Sequence, residues 1–264
     1  MTRIGKFFSR INLPCDTEIS LSYDFLKLVQ YNAVKSIAYE NLDILAKKPL
    51  DLSYEGLFKK IVEDNRGGYC FEVNGLLTHI LREAGFEVKE YFARFLRGEA
   101  SVPMRRHRVL SVACEGERYF CDIGIGSVAP KTPLLIKEGV VQNLYGESYK
   151  FRKDDRRGWV LYELYEGSWR EFISFTEDEQ FDIDFVQPSF YCEAHPDSIF
   201  NKAPIIAIKT DDGRKTIDGR DYKIFEGNEL VHIEENIDDE RFYQLLKEEF
   251  RLTGVGVNEA YKPL

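Results

Sequence analysis

The chain has 264 residues, of which 44% are hydrophobic and 31% are charged, proportions typical of an ordinary globular protein. This length is enough for one sizeable domain, or for two to three smaller subdomains, with a large buried core. The 45 acidic and 36 basic residues give a net charge of −9, which argues against nonspecific binding to nucleic acid or to an acidic membrane surface.

The apolar residues and the cysteines narrow the class further. No apolar run approaches the length of a transmembrane helix, and the N-terminus lacks an apolar signal-peptide core, so we expect a cytoplasmic protein. The cysteines are odd in number, widely spread and without a CxxC pair, which argues against a disulfide framework and a zinc site, and we expect no metal. They are Cys15, Cys70, Cys114, Cys121 and Cys192. Small-molecule chemistry is therefore the leading functional class.

Residues 1–85 show a helical pattern. Ser22 and Ser53 each precede a segment with apolar residues at helical spacing, and serine is a favoured N-cap residue. A third periodic segment begins near Cys70 and ends at Gly85, since glycine commonly terminates a helix. These segments predict a helical bundle over residues 1–85.

The sequence RGGYCFE at residues 66–72 opens the third helix. Two adjacent glycines permit a sharp turn and a close backbone approach. Cys70 then lies in the first helical turn, where unpaired N–H groups and the helix dipole favour a thiolate. Such a cysteine is a candidate nucleophile, although a small buried hydrophobic residue is the commonest role of a free cysteine. Position alone does not decide between them.

A hairpin after residue 86 supplies two further candidates. Strand-like segments at residues 106–114 and 117–123 flank Glu115 and Gly116, which predict a two-residue turn. In that register Asp122 faces Val109, one same-face step from His107, within reach of a histidine–aspartate hydrogen bond. Taken singly, His107 can be a structural histidine and Asp122 a turn residue. Together they follow Cys70 in the order cysteine, histidine, aspartate.

The remaining segments complete the predicted architecture. Strand-like stretches at residues 149–152, 159–165 and 169–175, separated or followed by charged connectors at residues 153–157 and 177–184, predict a small antiparallel barrel over residues 86–190. Residues 205–233 read as a meander with glycine-containing turns, followed by a helix that begins near Asp238 and Asp239. We interpret residues 191–264 as a strand-and-helix lid. Residues 253–264 have no clear period, and the sequence is compatible either with disorder or with docking near the active site.

Several of these motifs resemble those of the arylamine N-acetyltransferase family. Its RGGxCFExN signature is matched at residues 66–74, and its Asp-x-Gly-x-Gly segment at residues 122–126. Its proline-phenylalanine-glutamate-asparagine stretch is matched at residues 38–41, with Ala38 and Tyr39 in place of the first two. Its histidine-proline-x-serine turn is matched at residues 195–198, and we interpret His195 as structural because proline follows it. The resemblance also supports an ion pair between Glu40 and Arg66 that holds the loop before Cys70.

The resemblance implies an α+β fold with a cysteine-protease-like Cys-His-Asp core, and a ping-pong acetyl transfer from acetyl-coenzyme A to an arylamine, arylhydrazine or hydroxylamine. In this scheme Cys70 attacks, His107 takes its proton and Asp122 orients the imidazole. The imidazolium and the helix N-terminus are expected to lower the cysteine pKa from about 8.5 to between about 3.5 and 7.5. The family binds coenzyme A in the cleft between barrel and lid, where the matching residues are Gly124, Gly126 and Ser127.

The acceptor pocket is expected to be apolar and aromatic. Tyr69 and Phe71 flank the nucleophile in sequence and are the first candidates for its walls. Further candidates are Phe92, Phe95 and Phe190. A basic cluster around His107 meets either phosphates or a carrier-protein surface, or is only a solvated strand edge. It comprises Arg105, Arg106 and Arg108.

Three alternative functions remain open at this point. An amide synthase joins a polyketide acyl chain from a carrier protein to an aromatic amine with the same chemistry. A cysteine hydrolase or transglutaminase-like enzyme uses the same order of catalytic residues. A binding protein that has kept the fold is the least favoured, because all three candidate residues are present.

Overall fold

The structure, a computed structural model, describes residues 1–255, and its N-terminal part is helical. The helices are α1 (Arg3–Arg10), α2 (Tyr23–Ser36), α3 (Leu42–Leu45), α4 (Tyr54–Phe58) and α5 (Cys70–Glu83), with a π-helical segment, Lys59–Glu63, directly after α4. Within residues 1–255, no helix combines the length and the apolar character needed to cross a lipid bilayer.

The predicted helix ends are confirmed. The Ser22 hydroxyl accepts a hydrogen bond from the Phe25 N–H at 3.3 Å, and the Ser53 hydroxyl accepts one from the Gly56 N–H at 3.1 Å. Gly85 follows α5 with a φ of +97°, a conformation that favours glycine. The apolar faces of α1, α2, α4 and α5 form one core together with Leu110 and Val112 of a neighbouring strand. The helices therefore pack against one side of a sheet.

That sheet has eight antiparallel strands in the order β4-β3-β2-β1-β8-β7-β6-β5. The strands are β1 (Glu87–Phe95), β2 (His107–Cys114), β3 (Glu117–Cys121), β4 (Leu134–Leu135), β5 (Val141–Leu144), β6 (Glu147–Asp154), β7 (Gly158–Tyr165) and β8 (Ser168–Glu179). The Gln142 side chain of β5 accepts from the Leu135 N–H at 2.7 Å and donates to the Leu135 carbonyl at 3.0 Å. This amide links the two edge strands and nearly closes the sheet into the predicted barrel.

The register of the predicted hairpin is confirmed. Cys114 pairs with Glu117 and Leu110 pairs with Cys121 across β2 and β3. Glu115 and Gly116 have φ values of 52° and 80°, as a type I′ turn requires at both central positions. Asp122 therefore emerges directly after β3, near the start of β2.

Two features after the barrel were not predicted. The charged stretch expected as a connector from residue 177 begins inside β8, which runs to Glu179, and α6 (Val186–Ala194) follows it. The α6 segment was missed because it has no N-cap side chain and little amphipathic pattern. His195 comes directly after α6, where its Nδ1 accepts from the Asp197 N–H at 3.2 Å, consistent with the structural role expected for it.

The C-terminal region is the predicted meander with its helix. A second antiparallel sheet contains β9 (Ile205–Lys209), β10 (Gly213–Asp218), β11 (Asp221–Glu226) and β12 (Glu229–Glu234), and α7 (Asp239–Glu248) follows. The Asp238 side chain caps α7 by accepting from the Arg241 N–H at 2.8 Å. Thr253 accepts a hydrogen bond from the Asn65 side chain at 2.7 Å, and residues 256–264 of the tail lie outside the described residues.

A short segment joins the nucleophile loop to this second sheet. Tyr39 and Ala207 exchange both backbone hydrogen bonds, at 2.9 and 3.0 Å, and the Glu40 N–H donates to the Gly68 carbonyl at 3.1 Å. The chain around Tyr39 thus lies between the loop before Cys70 and β9. These contacts join residues 1–85 to residues 191–264. The division of the chain into residues 1–85, 86–190 and 191–264 stays a prediction.

Candidate active site

Cys70 is the first residue of α5 and lines a cleft between the barrel and the second sheet. Its side chain is buried, and its Sγ lies 3.9 Å from the backbone carbonyl oxygen of Arg106, the residue before His107. A Cβ added to Gly124 would lie only 2.8 Å from the Cys70 Cα. The segments that carry His107 and Asp122 therefore both pass close to the nucleophile candidate.

His107 and Asp122 form the predicted pair. The His107 Nε2 lies 2.6 Å from Asp122 Oδ2, and both side chains are buried. His107 lines the same cleft as Cys70, and because Asp122 occupies Nε2, Nδ1 is the ring nitrogen left to exchange a proton with the sulfur. The structure thus brings all three predicted residues to one place.

Asn74 is a further residue of the site that the sequence reasoning did not assign. Its Nδ2 donates to Asp122 Oδ1 at 2.9 Å and to the Arg108 carbonyl at 2.6 Å, and its Oδ1 accepts from the Ile123 N–H at 2.9 Å. The Gly124 N–H also donates to Asp122 Oδ1, at 2.7 Å. One carboxylate oxygen is thereby fixed, which leaves the other for the imidazole.

The surroundings of Cys70 act on its pKa in opposite directions. Burial raises the pKa of the thiol well above its usual value, and Cys192 and Asp122 act in the same direction. Backbone N–H groups of Arg108 and Phe71 lower it. Burial outweighs these two N–H groups, so the surroundings of Cys70 favour the thiol, in contrast to the low pKa expected from the sequence.

A cluster of mutually paired charged side chains lies next to the loop before Cys70. Arg66 Nη2 lies 2.8 Å from Glu40 Oε1 and 3.0 Å from Asp43 Oδ1, so the predicted Glu40–Arg66 pair is present. Lys60 Nζ lies 2.8 Å from Asp43 Oδ2 and 2.6 Å from Glu72 Oε1. Glu72 in turn accepts from the Tyr69 N–H at 3.2 Å and so caps α5. We call these five side chains, Glu40, Asp43, Lys60, Arg66 and Glu72, the paired-charge cluster.

The cleft that Cys70 lines has a volume of about 490 Å³. Gly124, Gly126 and Ser127, the residues predicted to face coenzyme A, line one side. Ile206, Thr216 and Phe225 of the second sheet line the other. Gly126 has a φ of +55° and packs on the Tyr39 ring, where an added Cβ would come within 3.2 Å. This tight turn keeps side-chain bulk out of the cleft.

Comparisons with known proteins identify the family. Residues 22–258 match the profile of a protein family described as N-acetyltransferase. The arylamine N-acetyltransferase of Mycolicibacterium smegmatis is 35% identical over 238 residues, which are 87% of this chain and 85% of that protein. The chain belongs to the arylamine N-acetyltransferase family.

Other members agree in sequence and in fold. The Escherichia coli arylamine N-acetyltransferase is 29% identical over 97% of this chain and 90% of its own. The solved structure of the Salmonella typhimurium member superposes with a TM-score of 0.92 at 26% identity, covering 98% of this chain and 96% of that one. A Mycobacterium marinum member, solved in complex with CoA, gives a TM-score of 0.89 at 28% identity, covering 98% and 97%. The predicted α+β fold is confirmed.

The predicted aromatic walls of the acceptor pocket are wrong in part. Tyr69 and Phe71 are fully buried away from the cleft of this arylamine N-acetyltransferase family member, and the Tyr69 hydroxyl bonds to Ser189 Oγ at 2.6 Å. Among the other candidates Phe95 lines the cleft, whereas Phe92 packs on Phe185 and faces a separate groove. Phe190 is 67% exposed on α6 and faces another groove. The aromatic walls of the cleft are Tyr39, Phe95, Phe200 and Phe225.

The basic cluster around His107 divides into three environments. Arg108 is fully buried, bonded to Glu90 and to Asp182 at 2.7 Å, with its guanidinium 4.3 Å above the Phe185 ring centroid. It is therefore neither a phosphate ligand nor a solvated edge residue. Arg105 is exposed, and Arg106 lines the cleft. Within residues 1–255, no group of three or more His, Cys, Asp or Glu side chains is arranged to hold a metal.

Proposed function

We propose that this chain transfers an acetyl group from acetyl-coenzyme A, through a thioester on Cys70, to the nitrogen of an arylamine, arylhydrazine or N-hydroxyarylamine. The observation that carries the assignment of roles is the pairing of His107 with Asp122 beside Cys70 in one cleft. Membership of the family supports the reaction, and the geometry supports the residues.

In the first half-reaction His107 Nδ1 takes the Cys70 proton, and the sulfur attacks the acetyl carbonyl carbon. The first N–H groups of α5, including that of Cys70, have no acceptor within the helix and are candidates to stabilise the oxyanion. The new carbon–sulfur bond to Cys70 forms as the bond to the donor sulfur breaks, and His107 returns its proton to that leaving thiolate. Asp122 stabilises the imidazolium between these two transfers.

In the second half-reaction the acceptor nitrogen attacks the Cys70 thioester. His107 takes a proton from the nitrogen, the bond to the Cys70 sulfur breaks, and the thiol re-forms with that proton. An aromatic amine suits this step, because it is uncharged near neutral pH and keeps its lone pair, whereas an aliphatic amine arrives mostly protonated. The aromatic walls of the cleft, with Tyr39 and Phe95 among them, fit an aromatic ring.

The cleft residues also fit coenzyme A. Gly124 and Gly126 line the cleft with backbone alone, packed closely on Cys70 and Tyr39 respectively, and Ser127 supplies a hydroxyl on the same wall. Arg97 and Arg214 line the cleft as well. Arg214 stacks on Phe225, 3.9 Å from its ring centroid, and has no carboxylate partner within residues 1–255, so its charge is available to a phosphate.

The alternative functions have less support. The Mycolicibacterium smegmatis and Escherichia coli relatives, which match 87% and 97% of the chain, are named arylamine N-acetyltransferases, which favours acetyl transfer over hydrolysis, transglutamination or a binding role. The carrier-dependent amide synthase remains distinguishable by its donor. Turnover of a carrier-bound acyl chain, without turnover of acetyl-coenzyme A, would favour it.

Mass spectrometry tests the proposal directly. Incubation with acetyl-coenzyme A is expected to add one acetyl group to Cys70, and addition of an arylamine is expected to remove it. The matched control is Cys15→Ser, which removes an exposed cysteine and should leave the adduct unchanged, whereas Cys70→Ser should abolish it. Acetylation that persists in Cys70→Ser would overturn the assignment of the nucleophile.

A further inference from the structure

Arg108 directly follows His107 in β2, and its side chain is fully buried. The guanidinium pairs with Glu90 of β1, which is also fully buried, and the ring of Phe185 covers it. A buried ion pair is a weak source of stability, because the cost of removing both charges from water offsets most of their attraction. The pair by itself therefore gives little reason to place an arginine here.

The Arg108 guanidinium also reaches the first turn of α5. Its Nη1 lies 3.5 Å from the backbone carbonyl oxygen of Phe71, the residue after Cys70. Gly75 follows Phe71 by one helical turn, and a Cβ added there would lie only 2.7 Å from the same Nη1. The absence of a side chain at position 75 therefore allows the guanidinium to approach the helix backbone.

The backbone of Arg108 belongs to the catalytic site. Its carbonyl accepts a hydrogen bond at 2.6 Å from the Asn74 side chain, which also donates to Asp122. The N–H groups of Arg108 and Phe71 are the two backbone donors that lower the pKa of the Cys70 thiol. Arg108 therefore supplies one donor to the sulfur itself and contacts, through its side chain, the residue that supplies the other.

We propose that Arg108 is a positioning residue for the nucleophile. Its guanidinium, held by Glu90, binds the carbonyl of Phe71 and so fixes the first turn of α5 against β2, with the N–H groups of Phe71 and Arg108 directed at the Cys70 sulfur. These donors stabilise the thiolate that forms when His107 takes the proton. The inference rests on the proposed function only in taking Cys70 as the nucleophile.

The first test separates positioning from stability. Arg108→Met alone leaves the Glu90 carboxylate buried without its main partner and should destabilise the fold. The double variant Glu90→Leu/Arg108→Met replaces the pair by apolar side chains, an exchange that is often neutral for stability. We therefore expect its melting temperature to stay near that of wild type.

The readout is alkylation of Cys70 by iodoacetamide, a small reagent that can enter the cleft. Mass spectrometry of peptides distinguishes Cys70 from the exposed Cys15. In Glu90→Leu/Arg108→Met we expect the alkylation rate at neutral pH to fall about tenfold and the pH midpoint of alkylation to rise by about one pH unit, as for a lost hydrogen bond to a charged group. His107, Asp122 and Cys192, the other titratable groups near the sulfur, are unchanged in this variant.

Arg82→Gln is the matched control. Arg82 pairs with the same Glu90 at 3.3 Å, but it lies in the last turn of α5, away from Phe71 and Cys70. If the network acts only on stability, Arg82→Gln and the double variant should alkylate alike. We expect Arg82→Gln to keep the wild-type rate and midpoint.

Gly75→Ala provides an independent test that keeps both charges. The added methyl group would displace the Arg108 guanidinium from Phe71, so the midpoint should rise in the same direction as in the double variant. A folded double variant with wild-type alkylation, or an unchanged midpoint in Gly75→Ala, would overturn the inference. Alkylation does not require acetyl-coenzyme A, so failure of wild-type Cys70 to become acetylated would overturn the proposed function instead.

Discussion

Two buried groups of charged side chains flank Cys70, and they differ in whether one of their atoms remains free to exchange a proton in the cleft. In the catalytic group, Asp122 is held by Asn74 and Gly124, and His107 keeps one ring nitrogen toward the cleft. In the paired-charge cluster, Arg66 and Lys60 are enclosed by three carboxylates, those of Glu40, Asp43 and Glu72.

The difference separates a proton-transfer device from a structural one. A buried charge destabilises a fold unless its partners surround it. The charges of the paired-charge cluster are surrounded in this way and fix the loop before Cys70, and none of them lines the catalytic cleft. The catalytic group has the same need for partners but satisfies it on one side only. The following variants test whether that division holds, from the largest expected effect to the smallest.

Asp122→Asn should have the largest effect on activity. An asparagine here still has an oxygen to accept from Asn74 and Gly124, but its amide N–H₂ then faces His107 Nε2. The imidazole is forced to carry its proton on Nδ1, where it cannot accept one from Cys70. We expect kcat/KM to fall by about 10³- to 10⁴-fold, as in other triads that lose the correct tautomer.

Steady-state kinetics and thermal melting, measured on the same samples, check this prediction. The matched variant is Asp182→Asn, which removes a carboxylate that pairs with Arg108 outside the cleft and should change kcat/KM little. A loss below tenfold in Asp122→Asn, with an unchanged melting temperature, would contradict the role given to Asp122.

Arg66→Met should break the paired-charge cluster. The variant leaves the Glu40 carboxylate, which is fully buried, without its strongest partner, and such a loss typically costs about 3–5 kcal/mol of unfolding free energy. Urea denaturation measures it. The double variant Glu40→Gln/Arg66→Met should recover part of the loss, because no unpaired charge remains at that position. A loss of unfolding free energy in the double variant equal to the sum of the losses in Glu40→Gln and Arg66→Met would argue against coupling between the two side chains.

Glu72 should make stability depend on pH. Burial raises the pKa of Glu72 from 4.5 to about 7, and Glu40 and Asp43 add to the rise against the opposing charge of Lys60. The folded state therefore holds a proton that the unfolded chain releases above pH 4.5, so this contribution is fully present below that pH and is lost as pH rises through about 7. Between pH 4.5 and about 7, the unfolding free energy of the wild type should fall by on the order of 3 kcal/mol relative to that of Glu72→Gln.

The measurement is the unfolding free energy of both proteins at several pH values. Glu72→Gln cannot titrate at this position. The difference in unfolding free energy between wild type and Glu72→Gln at each pH therefore removes the contributions of all other groups. Glu87→Gln, at the exposed start of β1, serves as a control for the loss of any one carboxyl. Parallel pH profiles for wild type and Glu72→Gln would contradict the predicted titration.

The parts of the fold and site that the sequence predicted depend on local signals. The turn at Glu115 and Gly116 fixes the β2–β3 register, and that register alone brings Asp122 near His107. Ser22 and Ser53 mark helix starts through bonds to N–H groups three residues along the chain. Each of these signals acts within a few residues, so no tertiary contact is needed to recognise it.

The parts of the site that the sequence did not predict depend on side-chain direction and on contacts between segments that are distant along the chain. A helix has 3.6 residues per turn, so residues next to Cys70 point well away from it while the residue four positions along shares its face. Tyr69 and Phe71 are therefore buried elsewhere, and Asn74 reaches the site. This periodicity was readable in the sequence and points to Asn74 as a partner. Tyr39, Phe200 and Phe225, in contrast, reach the cleft from three distant segments, which no local pattern brings together.

Tyr69→Phe has the smallest expected effect and tests that account of direction. The substitution removes one buried hydrogen bond, to Ser189, and should lower the unfolding free energy by about 1 kcal/mol. Because the Tyr69 ring faces away from the cleft, kcat/KM for an arylamine should stay within about twofold of wild type, a difference of less than 0.5 kcal/mol. Tyr39→Phe makes the same chemical change on a ring that lines the cleft, so it should alter acceptor selectivity. A similar kinetic effect in both variants would place Tyr69 back among the acceptor walls, since only a ring in contact with substrate can change selectivity by losing one hydroxyl.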